Sequence, residues 1–396
     1  MSGLGFTHWG ASAAIAVGVS FCTIDYASAQ ITPDATLPNN SSVTREGNTF
    51  NITGGTQAGG NLFHSFNEFS VNTGGTASFN NALDIQNIIS RVTGGSVSNI
   101  DGIIRTLGTV NQFLINPNGI VFSENASLNV GGSFVASTAN AIGFGNQGFF
   151  SASNPKSFSS LLTINPTALL FNQIKTASIE KNLSVKGLYV PDGKSLLLVG
   201  GDINMDGGGL YAFGGRVELG GLAGTGTVGL NEDANNLSLS FPDSVERSDV
   251  FLNNSLVYVA GDNGGSIGVN ARNLKMTGQS SLVGGIAPGL GSDKSKAGNI
   301  EINAMEAINL DNRSLIANWV LPEAKGQAGD VKIKTNTLLV RDKAVVNATT
   351  SGAGKGGNII VDAQDVQLIG SQQFTGLFTD AFSTGDAGNL TIKTNT

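Results

Sequence analysis

The sequence predicts an all-β chain wound as a parallel β-helix, and three observations support this. The C-terminal third repeats about every thirty residues, its strands are too short to stand alone, and the composition is rich in glycine and poor in charge. The repeat reads "AGNIEINAMEAINLDNRSLIAN" from Ala297, "AGDVKIKTNTLLVRDKAVVNAT" from Ala328, "GGNIIVDAQDVQLIGSQQF" from Gly356 and "AGNLTIKTNT" from Ala387. The polar residue after each small-Gly pair is Asn299, Asp330, Asn358 or Asn389, at spacings of 31, 28 and 31, and Ser266 in "GGSIGVNARNLKMTGQSSLVGG" stands 33 residues before Asn299.

Each unit opens on a small-Gly-polar turn. An alternating strand follows, such as Ile300-x-Ile302 or Val331-x-Ile333, then a bend and a second strand such as Ile308-x-Leu310 or Val366-x-Leu368, and usually a third apolar patch such as Leu315-Ile316. Period-2 alternation gives each strand one apolar face, which strands of three to five residues cannot bury alone. Stacking equivalent strands about 4.8 Å apart turns those faces into continuous inward ladders. The insertions "APGLGSDKSK" and "TTSGAGK" are expected to absorb the excess length as surface loops. Propellers need longer units, and no Leu-x-x-Leu-x-Leu consensus is present. With residues 1–29 removed, about twelve or more coils would form a rod on the order of 60 Å long. The last residues, "NLTIKTNT", begin a further unit, so the chain is expected to be incomplete at its C-terminus.

Composition limits the chemistry. The chain has 396 residues, 55 Gly, 9 Pro and 13% charged residues, with a net charge of −7 and a pI near 4.9. Its 22 Lys and Arg are scattered, which leaves no footprint for nucleic acid. His8, His64 and Cys22 are the only histidines and cysteine. Beyond residue 29 every triad or zinc site would therefore have to use His64, and no metal or cofactor is expected. His64 lies in "NLFHSFNEF" among Phe63, Phe66 and Phe69, which suits a structural hydrogen-bonder better than a catalyst.

The N-terminal "ASAAIAVGVSF" is an apolar run of signal-peptide length, and Ala27 and Ala29 supply the A-x-A arrangement, so cleavage is expected between Ala29 and Gln30. The run is too short for a membrane-spanning helix. Export fits a mature chain without cysteine.

In residues 31–172 the sequence is less periodic and richer in phenylalanine: "NLFHSFNEFSVNTGGTASF", "IISRVTGGSVSNIDGIIRT" and "VNQFLINPNGIVFSENASLNVGGSFVASTAN". Within it "FLINPNGIVF" sets a rigid corner between two apolar runs. Asn116 suits the first position of a type I turn, Pro117 pre-sets φ at the second, Asn118 tolerates the third and Gly119 is favoured at the fourth.

This order of segments resembles the secretion domain of filamentous-haemagglutinin-like exoproteins of two-partner secretion systems, especially cyanobacterial variants. The resemblance implies a right-handed parallel β-helix with an N-terminal capping region. It also implies a partner, an outer-membrane β-barrel transporter reached through Sec export and the periplasm, and a secreted or cell-surface location. Asn116, Pro117, Asn118, Gly119 and Ile120 match the family's secretion motif, whereas the earlier Asn-Pro-Asn-Leu of many relatives is missing and "NPTALLF" at Asn165 keeps only Asn-Pro. On this reading residues 1–29 are the signal peptide, 30–172 the secretion domain, 173–263 a β-helical continuation and 264–396 the repeats. A transporter reading the Asn116 amide would lose that contact in Asn116→Asp while the fold barely changed.

Two other classes compete with this exported adhesive shaft, for which cell-surface glycans or proteins are the candidate ligands. One is a β-helical polysaccharide lyase or hydrolase, the other the delivery portion of a larger toxin. The available carboxylates, Asp202, Asp206, Asp262, Glu301 and Glu306, form no repeated acidic constellation, and Asp202 and Asp206 read as turn residues that satisfy backbone amides. The chain is therefore read as non-enzymatic.

Overall fold

The alternation in Ile300–Leu310 works as its pattern requires: Ile300, Ile302, Ile308 and Leu310 point inward and are buried, and the strand turns a corner between Asn303 and Ala307. The computed structural model describes residues 30–155, 162–172, 177–182, 187–233, 236–370 and 374–394. Gln30 opens it, and the expected leader with Ala27 and Ala29 lies outside the described residues.

Three parallel ladders enclose one apolar core. The first face runs through Asn61–Phe69, Asn87–Val92, Asn111–Ile115, Phe134–Ser137, Ser195–Gly200 and Arg216–Gly221. It continues through the opening halves of Ser266–Thr277, Ile300–Leu310, Val331–Arg341 and Ile359–Ile369 to Leu390–Lys393. The second includes Ser98–Ile100, Ile120–Phe122, Ile179–Asn182 and the starts of Ile203–Tyr211 and Val250–Tyr258, then the closing halves of the later long strands. The third includes Thr49–Gly54, Thr76–Phe79, Ile103–Arg105 and Ser127–Asn129, and farther along Leu188–Tyr189, Ser281–Ile286, Leu315–Val320 and Val345–Asn347. The fold is thus a parallel β-helix. Its N-terminal end is closed by antiparallel strands: Ile31–Pro33 and Thr56–Ala58 pair with Asn61–Phe69, and Ser41–Glu46 pairs with Thr49–Gly54.

Residues 31–172 proved periodic, but at a shorter pitch than the C-terminal repeats. A corner ladder marks it: Asn87 donates to Asn61 26 residues back, Asn111 to Asn87 24 back, and the Ser133 amide to Asn111 22 back. The next step, Ser195 to Ser133, is 62 residues. There the chain leaves the helix to build an antiparallel sheet of Phe149–Ser151, Ala141–Gly143, Ala168–Phe171, Gly226–Asp233 and Asn236–Ser240, the last two supplied by a second excursion. These excursions consume chain. Eleven rungs on the first face among the described residues, not twelve or more, therefore span about 48 Å.

The excursion sheet covers the outer side of the first face. Phe63, Ile89, Phe113, Ile115, Val135, Leu197 and Val199 point outward into a second core with Phe144, Phe150, Leu169 and Val228. Strands buried on both sides read as unbroken apolar runs, which explains "QFLI" and "SLLLV".

The C-terminal repeat is held by two stacked series. The Asn299 carboxamide accepts from the Asp330 amide at 3.0 Å, Asp330 from the Asn358 amide at 2.9 Å, and Asn358 from the Asn389 amide at 2.9 Å. Beside them Gly329 lies so close to the previous coil that a Cβ would stand 1.9 Å from the Gly298 carbonyl oxygen, and Gly357 and Gly388 repeat the approach. This is why the motif is small-Gly-polar. "APGLGSDKSK" is more ordered than the expected loop: Gly291–Lys296 pairs in parallel with Lys325–Gln327 beside Ile286, Val320 and Ala324.

Ile302→Asp or Ile333→Asp should lower stability by about 3 kcal/mol or more, since either sets an unpaired carboxylate in the core ladder. Gly329→Ala should destabilise measurably in urea unfolding, whereas Gly95→Ala, where a Cβ meets nothing within 4 Å, should not. Equal midpoints for the two glycine variants would contradict the stacking argument.

Candidate functional site

The corner at Asn116–Ile120 joins Asn111–Ile115 on the first face to Ile120–Phe122 on the second. The Gly119 amide donates to the Asn116 carbonyl at 3.1 Å, closing the expected β-turn, and Gly119 at φ +119° occupies a region closed to other side chains. The Asn116 amide donates to Ser137 at 2.9 Å and Ile120 to Ser178 at 3.3 Å, both in the next coil.

Asn116 is completely buried. Its side-chain amide donates to the Ser96 carbonyl at 3.0 Å and to Ser98 Oγ at 2.9 Å, and its Oδ1 accepts from the Asn118 backbone amide at 2.9 Å. Asn118 Nδ2 donates to the Gly94 carbonyl at 2.6 Å. Gly119 and Ile120 are also buried, so only Pro117 and Asn118 reach the surface. The expectation that the Asn116 amide is displayed to a partner is corrected here, because both its donors bond the preceding coil.

The corner also sits at a junction. The chain leaves the helix just after Thr138 and rejoins it at Ala177, where Thr138 Oγ1 and the Gly201 amide both donate to the Ala177 carbonyl, at 3.0 and 2.8 Å. Ser137 and Ser178, on either side of that departure, are the groups the corner bonds. Asn165 of "NPTALLF" lies elsewhere: it accepts from Asn87 at 2.9 Å and donates to Glu232 at 2.6 Å, tying the excursion to the asparagine ladder.

Three titratable groups, His64, Arg91 and Lys181, are buried in the N-terminal coils. His64 is 1% exposed, lies within 2.9 Å of Ser41 Oγ through Nδ1, and stacks on Phe66 while meeting Phe79 edge-on. Burial pushes its pKa down to about 3, so it is a neutral structural group. Arg91 was missed in the sequence, although a basic residue inside the apolar run "NIISRV" was the available signal. Fully buried, it donates to Ser65 Oγ at 2.8 Å, the Ser151 carbonyl at 2.7 Å, Thr36 Oγ1 at 2.8 Å and the Pro155 carbonyl at 3.1 Å, with its guanidinium 4.1 Å from the Phe150 ring centre. Burial pushes its pKa down to about 10, opposed by the charge of Asp34. Burial works to raise the Asp34 pKa, but hydrogen bonds from Thr36, Thr93 and Ser65 outweigh it and hold the carboxyl below its usual range. Cap, helix and excursion are thereby joined through one polar network. Lys181 stacks over Phe122, and burial pushes its pKa down to about 8, opposed by Asp101.

The carboxylates weighed for catalysis serve the stack. Asp202 accepts from the Asp249 amide at 3.1 Å, and Asp206 from Asn253 Nδ2 at 2.8 Å. Glu301 pairs with Lys332 at 3.0 Å.

A family model described as the TPS secretion domain matches residues 29–270, a span that takes in both the stretch read as secretion domain and the β-helical continuation. Among solved structures, the HMW1 secretion domain from Haemophilus influenzae aligns with a TM-score of 0.49 at 16% identity, covering 91% of this chain and 100% of that one. The filamentous hemagglutinin secretion domain aligns with a TM-score of 0.40 at 14% identity, covering 91% and 99%. No curated protein matches the chain.

Asn116→Asp should cost about 2 kcal/mol or more, because a carboxylate would face the Ser96 carbonyl with no proton to donate. A thermal melt unchanged from the parent would overturn that account. The folded pKa of His64 lies below its unfolded 6.5, so its contribution to stability is complete above pH 6.5 and declines as pH falls toward 3. The slope should approach ~1.4 kcal/mol per pH unit between pH 6 and 4.5, read from urea midpoints, and His64→Gln should flatten it.

Proposed function

The chain belongs to the family of TPS secretion domains, which makes it the exoprotein of a two-partner pair, and from that premise we propose that its transporter reads the Asn116–Ile120 corner and that its shaft serves adhesion. The family implies a secreted or cell-surface protein and an outer-membrane transporter as partner. Residues 1–29 complete the reading as a leader for Sec export. Residues 30–172 are the segment engaged by the transporter, 173–263 continue the helix, and 264–396 form the shaft.

The observation that carries the corner's role is its rigidity at an exposed edge. Pro117 and Asn118 are held at the surface by a turn whose base, Asn116, is bonded to coils on both sides. A partner that docks on such an element loses little conformational entropy. Asn116, Gly119 and Ile120 act on recognition through the turn they build, and Pro117 with Asn118 offers the contact. The C-terminal repeats, whose rungs pair with their neighbours in the stack, can also fold progressively onto the capped N-terminal part, which suits a chain delivered through a pore. The engagement of Asp202, Asp206 and Glu301 within the stack favours the adhesive reading over a lyase or hydrolase.

Export separates recognition from folding. In cells carrying the cognate transporter, Pro117→Ala should lower secretion about fivefold, equivalent to ~1 kcal/mol of recognition, while the purified protein melts within a few degrees of the parent. Asn116→Asp should lower both. If secretion simply followed melting temperature through the two variants, the corner would be a fold element alone.

A further inference from the structure

Three of the four tyrosines in the sequence stand in one file. Tyr189 pairs in register with Tyr211, and Tyr211 with Tyr258, on successive coils of the third face. The rings of Tyr189 and Tyr211 stack at 4.2 Å with planes 4° apart, and Phe213 meets Tyr258 edge-on at 5.7 Å. Tyr189 is 43% exposed, so the file lies on the outer surface. A core ladder would place such rings inside.

Where the file reaches the next corner, Phe213 and Tyr258 form part of the wall of a cavity of about 470 Å³, together with Leu290, Asp192, Asp262 and Asn263. Glycine backbone lines part of it, at Gly193, Gly214 and Gly261, and at Gly261 a Cβ would stand 2.6 Å from the Gly214 amide nitrogen. Asp262 accepts from the Gly291 amide at 2.8 Å, which fixes the turn carrying the exposed Leu290. The volume falls within the ~300–1,000 Å³ of small-molecule sites, and the lining has their usual character, aromatic surface with a few polar groups.

We propose that this cavity and the tyrosine file beside it bind an uncharged pyranose oligosaccharide. A pyranose presents weakly positive C–H groups on its faces and hydroxyls around its rim. Aromatic faces are negative and attract the former. Carboxylate and carboxamide groups at the cavity edge bond the latter. Tyr258 keeps its proton, since burial raises its pKa, and its hydroxyl can donate. Asp192 and Asp262 bring negative charge to the opening and repel uronates and sulfated sugars. The site gives the adhesive reading a ligand class and rests on it for its biological purpose. Binding by purified protein needs no transporter, so either idea can fail without the other.

The experiment is calorimetric titration of the purified chain at pH 7 with cellohexaose, chitohexaose and maltohexaose, with trigalacturonate as the anionic comparison. At least one neutral hexamer should bind with a Kd below about 1 mM, and trigalacturonate should bind at least about tenfold more weakly. Phe213→Ala and Tyr258→Ala should each weaken the neutral ligand about tenfold, Tyr258→Phe about threefold or less, and Asp192→Ala, at an exposed position, about threefold. If a ring variant fails to fold, Asp192→Ala decides. No binding of any neutral hexamer, or binding indifferent to these substitutions, would overturn the proposal. Self-association abolished by Tyr189→Ala in a chain that binds no sugar would assign the file to a second copy instead.

Discussion

Every rung of this molecule must sit in register on the one before it, and that constraint governs the rest of the structure. Parallel strands about 4.8 Å apart place each side chain over its homologue in the next coil, so like stacks on like. Ile300 stands over Ile267 and beneath Val331, Asn87 bonds Asn61, and Tyr211 covers Tyr189. The same closeness forbids side chains at other points, as at Gly329, Gly357 and Gly388, where the carbonyl of the previous coil occupies the space of a Cβ. A substitution is therefore judged against two neighbours from distant parts of the sequence.

Register explains cohesion along the axis; the excursion sheet explains why the N-terminal part is different in kind. On the first face the later coils are buried on the inside only, and strands such as Ile300–Leu310 and Val331–Arg341 alternate. The earlier first-face strands are sandwiched between the helical core and the sheet containing Phe144, Phe150 and Leu169, and they lose the alternation. The sheet ties coils that are not sequence neighbours into one body. The corner at Asn116 lies at the foot of that departure, bonded to Ser137 before it and Ser178 after it.

Burying so much chain also buries polar groups, and the charged and titratable ones near the cap are answered by local partners. Arg91 draws four hydrogen bonds from cap, helix and excursion, Asp34 gathers hydroxyls from Thr36, Ser65 and Thr93, and His64 stays neutral against Ser41. A satisfied network of this kind specifies one arrangement of the parts it joins, because any slip leaves a buried charge without partners. The secretion domain thus presents its corner on a body held by apolar packing and by directional bonds.

The sequence by itself determined the solenoid, its inward residues and the turn. The period of Asn299, Asp330, Asn358 and Asn389, the alternation at Ile300 and Ile302, and the chemistry of Asn-Pro-Asn-Gly are all local, and local patterns are legible along a chain. The shorter pitch of the first coils was hidden because its steps drift from 26 to 24 to 22 residues and its marker is a single polar residue ahead of each apolar run, which shows only once the ladder is assembled. Only the tertiary structure decided that Asn116 faces inward while Pro117 and Asn118 face out, that Arg91 joins residues from Thr36 to Pro155, and that three dispersed tyrosines form one surface. Those outcomes depend on which coil lies above which, and that is set by chain far from the residues concerned.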